Sequence, residues 1–179
     1  MKAERKYTFS WSTIGDNMAV ARPSLGAYTR VEVYRLLQYT LRDILEEDFG
    51  PAKTDEIFRR AGSLAGKEFY KKFINNVTDI SSLVKIIEDK FMELGIGIFR
   101  VESIDIETLN FTLNVEEDLD CSGLPDSNEQ ICVYDEGFIQ GILEAYTGKQ
   151  FKVREIDCWC TGARTCRFSA TAIDNAHGD

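Results

Sequence analysis

The spacing of apolar residues changes once along this chain, from the 3.6-residue period of helices to the two-residue period of strands. Three stretches of helical period predict helices over about 31–49, 54–73 and 81–94. Apolar and polar residues then alternate along 109–115, in the second of two strands that we expect to join near Asp105. Helices followed by paired strands indicate an α+β fold, with helices packed on an antiparallel β-sheet.

The rest of the chain adds one helix and two strands to this pattern. The acidic, turn-rich stretch 116–130 predicts a surface loop. A helix is expected over about 131–146, and a strand near 151–156. A turn over 158–166 leads into a last strand over about 166–172. With these additions the α+β pattern extends to the last predicted strand.

The chain of 179 residues fits a single domain with a hydrophobic core. We assign 31–172 to that domain, 1–30 to a lead-in that packs on it, and 173–179 to a flexible tail. The formal charge of -9 argues against a nucleic-acid or anionic-membrane partner. No apolar run approaches the roughly 18 residues of a membrane span, and no signal peptide is evident. Five cysteines without an export signal suggest a cytoplasmic protein with reduced thiols or metal ligands.

Four residues in the final third are candidates for one metal site: Cys132, Glu155, Cys158 and Cys166. Thiolates and carboxylates are the ligands that zinc takes in closed tetrahedral sites. Glu155 and Cys158 are three residues apart, so a straight strand would point them to opposite faces of a sheet. They can share a metal only if the chain bends at 156–157.

The spacing leaves alternatives open at this site. Cys160 lies two residues from Cys158, so it could replace Glu155 or be an inert neighbour. The cysteines could also be ordinary core residues, because free cysteine is among the most buried residue types. Cys121, in the acidic loop, receives no role, and His177, in the polar tail, is not expected to be a ligand.

The charge of the candidate ligands favours a structural role for the metal. Three thiolates and a carboxylate carry four negative charges, of which Zn²⁺ offsets two. Such an electron-rich metal is a poor Lewis acid, and four protein ligands leave no position for water. We therefore expect a structural zinc.

The segment from Cys132 to Phe168 resembles the 4-vinyl-reductase-type domain, also called the hydrocarbon-binding domain. The resemblance rests on the pattern Cys132, Gly137-Phe138, Gly148, Glu155-x2-Cys158, Gly162 and Cys166-Arg167-Phe168. The sensor domains of bacterial phenol- and toluene-responsive activators share this pattern. The earlier stretches ARPSLG and VEVYRLLQYTLRD resemble stand-alone archaeal and bacterial members.

This resemblance implies a fold shared with haem-based nitric-oxide sensors and with small subunits of a vesicle-tethering complex. It implies a zinc held by three cysteines and one glutamate, at Cys132, Glu155, Cys158 and Cys166. It further implies a homodimer that buries a small hydrophobic or lipid-like ligand between helices and sheet, with a downstream signalling or regulatory protein as a possible partner.

Two departures narrow what the resemblance implies. Phenol sensors of this type use a pocket histidine, and this chain has none before His177, so phenol recognition is not implied. The activators also carry an ATPase module and a DNA-binding module. Neither pattern occurs here, so we do not expect the chain to activate transcription alone.

The helix-facing side of the sheet is the expected wall of a ligand cavity. The residues that we assign to it are Leu83, Phe99, Leu109, Phe111 and Val153. Each of them is explained equally well as plain core.

The leading hypothesis is a zinc-stabilised cytoplasmic domain that binds or senses a small hydrophobic molecule. No catalytic residue is assigned, because the body of the chain lacks a histidine base and a glycine-rich nucleotide loop. One alternative is a reductase, or its accessory protein, for a tetrapyrrole vinyl group. Another is a ligand-free protein-interaction subunit. The sequence does not identify the ligand.

Overall fold

The computed structural model describes residues 4–15 and 17–173. The helices are α1 (Met18–Ala21), α2 (Val31–Phe49), α3 (Pro51–Phe69), α4 (Ile80–Leu94) and α5 (Val133–Thr147). The strands are β1 (Ile98–Asp105), β2 (Asn110–Glu116), β3 (Phe151–Asp157) and β4 (Cys166–Ala172). Short 3-10 turns lie at Trp11–Ile14 and Trp159–Thr161, and a π-helical turn, Tyr70–Ile74, continues α3. Most of the predicted tail, with His177, lies outside the described residues.

The four strands form one antiparallel sheet in the order β1-β2-β4-β3. Alternate residues of β2, among them Phe111, Leu113 and Val115, are buried, as the two-residue period predicted. Helix α4 packs against β1, and α5 packs against β3. The predicted α+β fold, with helices on an antiparallel sheet, is confirmed.

Helix α3 begins three residues before its predicted start. Pro51 occupies the first helical position, where the N–H that proline lacks would have no partner in any helix. Gly50 alone therefore separates α2 from α3. Thr54, the first residue of the predicted range, lies within the helix and is fully buried.

The contact between α3 and α5 depends on four glycines, Gly62 and Gly66 on α3 and Gly137 and Gly141 on α5. A Cβ atom at Gly62 would lie 2.0 Å from the carbonyl oxygen of Tyr134, and one at Gly137 would lie 2.0 Å from that of Arg59. The other two glycines meet opposite carbonyls at 2.1 and 2.3 Å. The backbones lie too close for any side chain, so this interface has no tolerance for alanine.

Helix α2 has its predicted bounds, but its apolar stripe faces outward. An amphipathic surface helix normally turns that stripe toward the core. Here Val33, Leu36, Leu37, Leu41 and Ile44 are each between 49% and 70% exposed. The opposite, polar side of α2 contacts the loop after β2 instead. The stripe is therefore a surface feature of the described chain.

None of the helices within the described residues is both long enough and apolar enough to cross a membrane.

Replacing Gly62 or Gly137 by alanine should lower the free energy of unfolding by about 3 kcal/mol or more, because the new methyl group overlaps a backbone carbonyl that cannot move alone. Denaturant unfolding followed by circular dichroism measures the change. Gly95→Asn is the control, since Gly95 caps α4 in the left-handed region with open space around its Cα. Asparagine tolerates that conformation, so we expect a loss within about 1 kcal/mol. Wild-type stability of both alanine variants would contradict the close contact.

Candidate metal centre and adjoining cavity

Four buried thiols converge beside the N-terminus of α5. The Sγ atoms of Cys121, Cys132, Cys158 and Cys166 all lie within 4.8 Å of one another. The Cys121–Cys166, Cys132–Cys166 and Cys132–Cys158 sulfur distances are 3.0, 3.7 and 4.0 Å. Ligands of a tetrahedral zinc with Zn–S bonds of about 2.3 Å are about 3.8 Å apart. The cluster therefore fits a zinc ion in ligand type, and the two distances from Cys132 match the spacing of such a site, whereas the Cys121–Cys166 distance is shorter.

Each thiol comes from a different part of the fold. Cys132 is the N-cap residue of α5, and Cys166 is the first residue of β4. Cys158 follows β3, at the start of the 3-10 turn. Cys121 lies in the loop after β2, where Asp118 Oδ1 accepts the backbone N–H groups of Asp120 and Cys121 at 2.8 and 3.1 Å. A metal here would tie that loop, α5 and the β3–β4 hairpin together.

Strand β3 has the bend that a metal shared by Glu155 and Cys158 would require. The pairing of β3 with β4 shifts register between Glu155 and Asp157, so Ile156 forms a β-bulge. The bulge allows Glu155 and Cys158 to approach the same region despite their odd spacing. Gly162 then adopts a left-handed conformation, with φ of 90°, in the turn that leads toward Cys166.

Glu155 lies beside the cluster rather than among the four converging sulfurs. Its Oε2 accepts the backbone N–H of Cys132 at 3.1 Å, and its buried Oε1 has no hydrogen-bond partner among the described residues. Burial, followed by the neighbouring charge of Cys158, raises the pKa of Glu155 to about 9. The assignment of Glu155 as a metal ligand stays a prediction.

Cys121 belongs to the cluster although the sequence analysis gave it no role. The loop 116–130 was expected on the surface, but Cys121 is fully buried, and Asp118 and Asp120 are only 2% and 3% exposed. The acidic composition of the loop had indicated a solvent-exposed segment. The one signal that could have indicated it is the cysteine itself, because free cysteines are so often buried.

Cys160 and Trp159 lie outside the group of four sulfurs. The Cys160 side chain is buried, and its carbonyl accepts the N–H groups of Ser127 and Asn128. The Trp159 indole donates to the carbonyl of Leu124 at 3.0 Å, and the Arg164 guanidinium lies 4.9 Å from the centre of its ring. Both residues thus hold the loop before α5 against the 3-10 turn.

The pKa values of Cys158 and Cys132 are shifted in opposite directions. Hydrogen bonds from Cys121, Cys132 and Cys166 hold the pKa of Cys158 far below its usual range. Hydrogen bonds with Cys121, Cys158 and Cys166, together with burial, raise the pKa of Cys132 well above its usual range. Full deprotonation of the cluster therefore requires a cation to offset the added charge.

Glu136 connects α5 to both α3 and β3. Its Oε2 accepts the Arg59 guanidinium of α3 at 2.7 Å and the Arg154 guanidinium of β3 at 3.2 Å. Its Oε1 accepts the backbone N–H of Glu155 at 2.9 Å. This buried carboxylate has two cationic partners, and it positions the strand that carries Glu155.

The predicted ligand wall lies in tightly filled core. Leu83, Phe99 and Phe111 surround a gap of about 20 Å³, roughly the space of one water molecule. Val153 is buried, and Leu109 is partly buried next to the β1–β2 turn. The helix–sheet interface therefore has no space for a ligand in this conformation, and ligand contact by these five residues stays a prediction.

A cavity of about 320 Å³ lies on the other side of α5, next to the cysteine cluster. The 3-10 turn near the N-terminus, α2, α3, α5 and the loop after β2 all contribute to its wall. Its aromatic lining comprises Phe9, Trp11, Tyr34, Phe69, Tyr134 and Phe138. Its acidic lining comprises Asp118, Asp120 and Asp135. None of the five predicted ligand contacts is among the described residues that line it.

The polar side of α2 closes this cavity by binding the loop after β2. The hydroxyl of Tyr34 donates to Asp120 Oδ1 at 2.7 Å, and the amide of Gln38 donates to Asp120 Oδ2 at 2.8 Å. Tyr39 donates to the Asp120 carbonyl at 2.9 Å. Tyr34 and Tyr39 are both half-buried by these contacts within the chain.

Residues 111–172 match the family model of the 4-vinyl-reductase (V-4-R) domain. An uncharacterized protein of Methanocaldococcus jannaschii is 28% identical over 111 residues, which is 62% of this chain and 62% of that protein. The alignment thus spans less than two thirds of the relative's length.

Several solved structures share the fold at low sequence identity. The phenol-responsive sensory domain of the transcription activator PoxR, solved with phenol, has a TM-score of 0.63 at 16% identity, over 83% of this chain and 77% of that one. A vinyl-4-reductase family protein of Methanocaldococcus jannaschii has a TM-score of 0.58 at 17% identity, over 84% and 85% of the two chains.

The two wider fold relatives expected from the sequence are also found. Subunit 3 of a trafficking protein particle complex from Naegleria fowleri, covalently bound to palmitic acid, has a TM-score of 0.58 at 13% identity, over 83% of this chain and 98% of that one. An H-NOX protein from S. oneidensis has a TM-score of 0.53 at 15% identity, over 84% and 79%. The expected fold type is therefore confirmed, and the matched residues 111–172 include α5 and all four clustered cysteines.

Proposed function

We propose that this protein is a zinc-stabilised module that binds a small hydrophobic molecule. The observation that carries the proposal is the 320 Å³ cavity with an aromatic wall beside the four-cysteine cluster. Ligand sites in proteins are mostly apolar concavities with a few polar groups. The PoxR domain solved with phenol and the trafficking subunit bound to palmitic acid support a ligand-binding use of this fold.

The cavity sets the size of the ligand. A volume of about 320 Å³ corresponds to roughly ten water-sized units. Aromatic rings from Trp11 in the lead-in and from Phe69 and Phe138 in the helices offer flat apolar surfaces. A monocyclic aromatic compound with a short side chain matches both the size and the lining. The lead-in 1–30 would thus contribute to the ligand site of the domain 31–172.

The zinc in this proposal is structural and is held by Cys121, Cys132, Cys158 and Cys166. The sulfur spacing and complete burial support these four ligands. Glu155 then acts by accepting the backbone N–H of Cys132, which orients the helix terminus. When bound, the metal supplies a cross-link rather than a reactive site, because four thiolates leave no open position. Reduced thiols of this kind suit a cytoplasmic location.

We also propose a homodimer formed through the exposed stripe of α2. A two-fold axis would pair α2 of each copy in antiparallel orientation, so that the apolar stripes cover each other. That orientation places Arg30 at the start of one helix near the exposed Glu47 and Asp48 at the end of the other. Arg30 also pairs with Glu32 of its own chain, so the matching apolar stripes are the main argument for a second copy of the chain as the partner.

Binding to the cavity is tested with 2-phenylethanol by isothermal titration calorimetry. Ala65→Phe should weaken binding at least tenfold, because Ala65 lines the cavity and the new ring occupies it. Ala52→Phe makes the same substitution at an exposed position of α3 and should bind as wild type does. Wild-type affinity in Ala65→Phe, with folding verified by circular dichroism, would contradict the cavity assignment, as would no binding by the wild type.

The metal ligands are tested by native mass spectrometry of purified variants. We expect one zinc per chain in the wild type, loss of zinc in Cys121→Ser, and a lower melting temperature, since metal binding at such sites contributes folding energy. Cys160→Ser, a buried thiol outside the cluster, should retain the zinc. Zinc retained by Cys121→Ser but lost by Glu155→Gln would instead show that Glu155 is the fourth ligand.

The dimer is tested by light scattering coupled to size exclusion. Leu37→Glu should convert the dimer to a monomer without unfolding it, because it places a charge in the middle of the stripe. Ile106→Glu changes an equally exposed apolar residue near the β1–β2 turn and should leave the dimer intact. A monomeric wild type, or a dimeric Leu37→Glu variant, would refute the α2 interface.

A further inference from the structure

The cavity has one acidic end, where three carboxyl groups meet. Asp118 and Asp120 come from the loop after β2 and are almost fully buried, and Asp135 comes from the first turn of α5. Carboxylate oxygens of Asp118 and Asp135 lie within 4.8 Å of each other and of the Cys132 sulfur. Two facing carboxyl groups need a proton or a cation between them, because paired charges at this distance repel strongly.

The partners of these carboxyl groups within the chain are neutral. Asp120 accepts the Tyr34 hydroxyl and the Gln38 amide, and Asp118 Oδ1 accepts two backbone N–H groups. Asp135 Oδ2 is buried and has no hydrogen-bond partner among the described residues. An orphaned buried oxygen at the edge of a cavity costs free energy unless a ligand pairs with it.

The Arg35 guanidinium, a cation near these carboxyl groups, forms its hydrogen bonds with other atoms. The Arg35 guanidinium donates to the carbonyls of Leu119 and Ser122 at 2.8 and 2.9 Å, so its hydrogen bonds go to backbone oxygens. By contrast, Glu136, the buried carboxylate that directly follows Asp135 in α5, is paired with two arginines. Among the described residues, Glu136 thus has ion-pair partners, whereas Asp118, Asp120 and Asp135 form no salt bridge.

Resting on the proposed ligand-binding function, we infer that the ligand is a small hydrophobic amine, with its ammonium group at Asp118, Asp120 and Asp135 and its apolar body against the aromatic wall. An ammonium group has three N–H donors and a positive charge, which match an orphaned carboxylate oxygen and a surplus of negative charge. Trp11, Tyr34 and Tyr134 line the same cavity, and aromatic rings of this kind attract a nearby cation.

The test compares three probes of one shape, 2-phenylethylamine, 2-phenylethanol and phenylacetate, by calorimetry on the zinc-loaded full chain. We expect the amine to bind at least tenfold more tightly than the alcohol, and phenylacetate to bind more weakly than either. Asp135→Asn should lower the affinity for the amine at least tenfold and abolish the preference for the amine over the alcohol. Glu107→Gln removes the same charge at an exposed position and should leave all three affinities unchanged.

The outcomes separate this inference from the function on which it rests. If the alcohol binds as tightly as the amine, or if Asp135→Asn keeps the preference for the amine, the carboxyl groups hold protons instead and the amine inference is overturned while the cavity function stands. If none of the three probes binds, both the inference and the proposed function fail.

Discussion

The close contact between α3 and α5 is the constraint on which both candidate sites depend. Gly62 and Gly137 bring each helix backbone against carbonyl oxygens of the other. Across the same interface, the Arg59 side chain of α3 donates to the Glu136 carboxylate of α5. Close backbone packing makes such an interface rigid, because interiors at native density have little room to adjust. The position of α5 is therefore fixed before either the metal or a ligand contributes.

From this fixed helix, the two sites extend in adjacent directions. The N-cap residue of α5, Cys132, faces the sulfur cluster, while Tyr134 and Asp135 in its first turn face the cavity. The loop after β2 serves both, since Cys121 lies in the cluster while Asp118 and Asp120 line the cavity. In the proposed function the metal is therefore a cross-link that holds one wall of the ligand site.

The sequence was sufficient for the elements and for part of the candidate site. Periodicity identified the four long helices and the four strands but not the short helix α1. The bend that a metal shared by Glu155 and Cys158 would need is present as a bulge at Ile156. The sequence was insufficient where burial contradicts composition. The loop that contains Cys121 looks acidic and exposed but is buried, and the stripe of α2 looks like a core face but is exposed. The packing of the whole chain, rather than the local sequence pattern, decides the burial of the loop and the exposure of the stripe.

The central claim is that the metal cluster holds the loop that closes the cavity. It is tested most directly by titrating 2-phenylethanol into wild-type protein and the Cys121→Ser variant, with zinc content determined on the same samples. We expect the variant to lose zinc and to bind the probe at least tenfold more weakly, since Asp118 and Asp120 are no longer fixed beside the cavity. Zinc-free variant protein that binds the probe with wild-type affinity would contradict it.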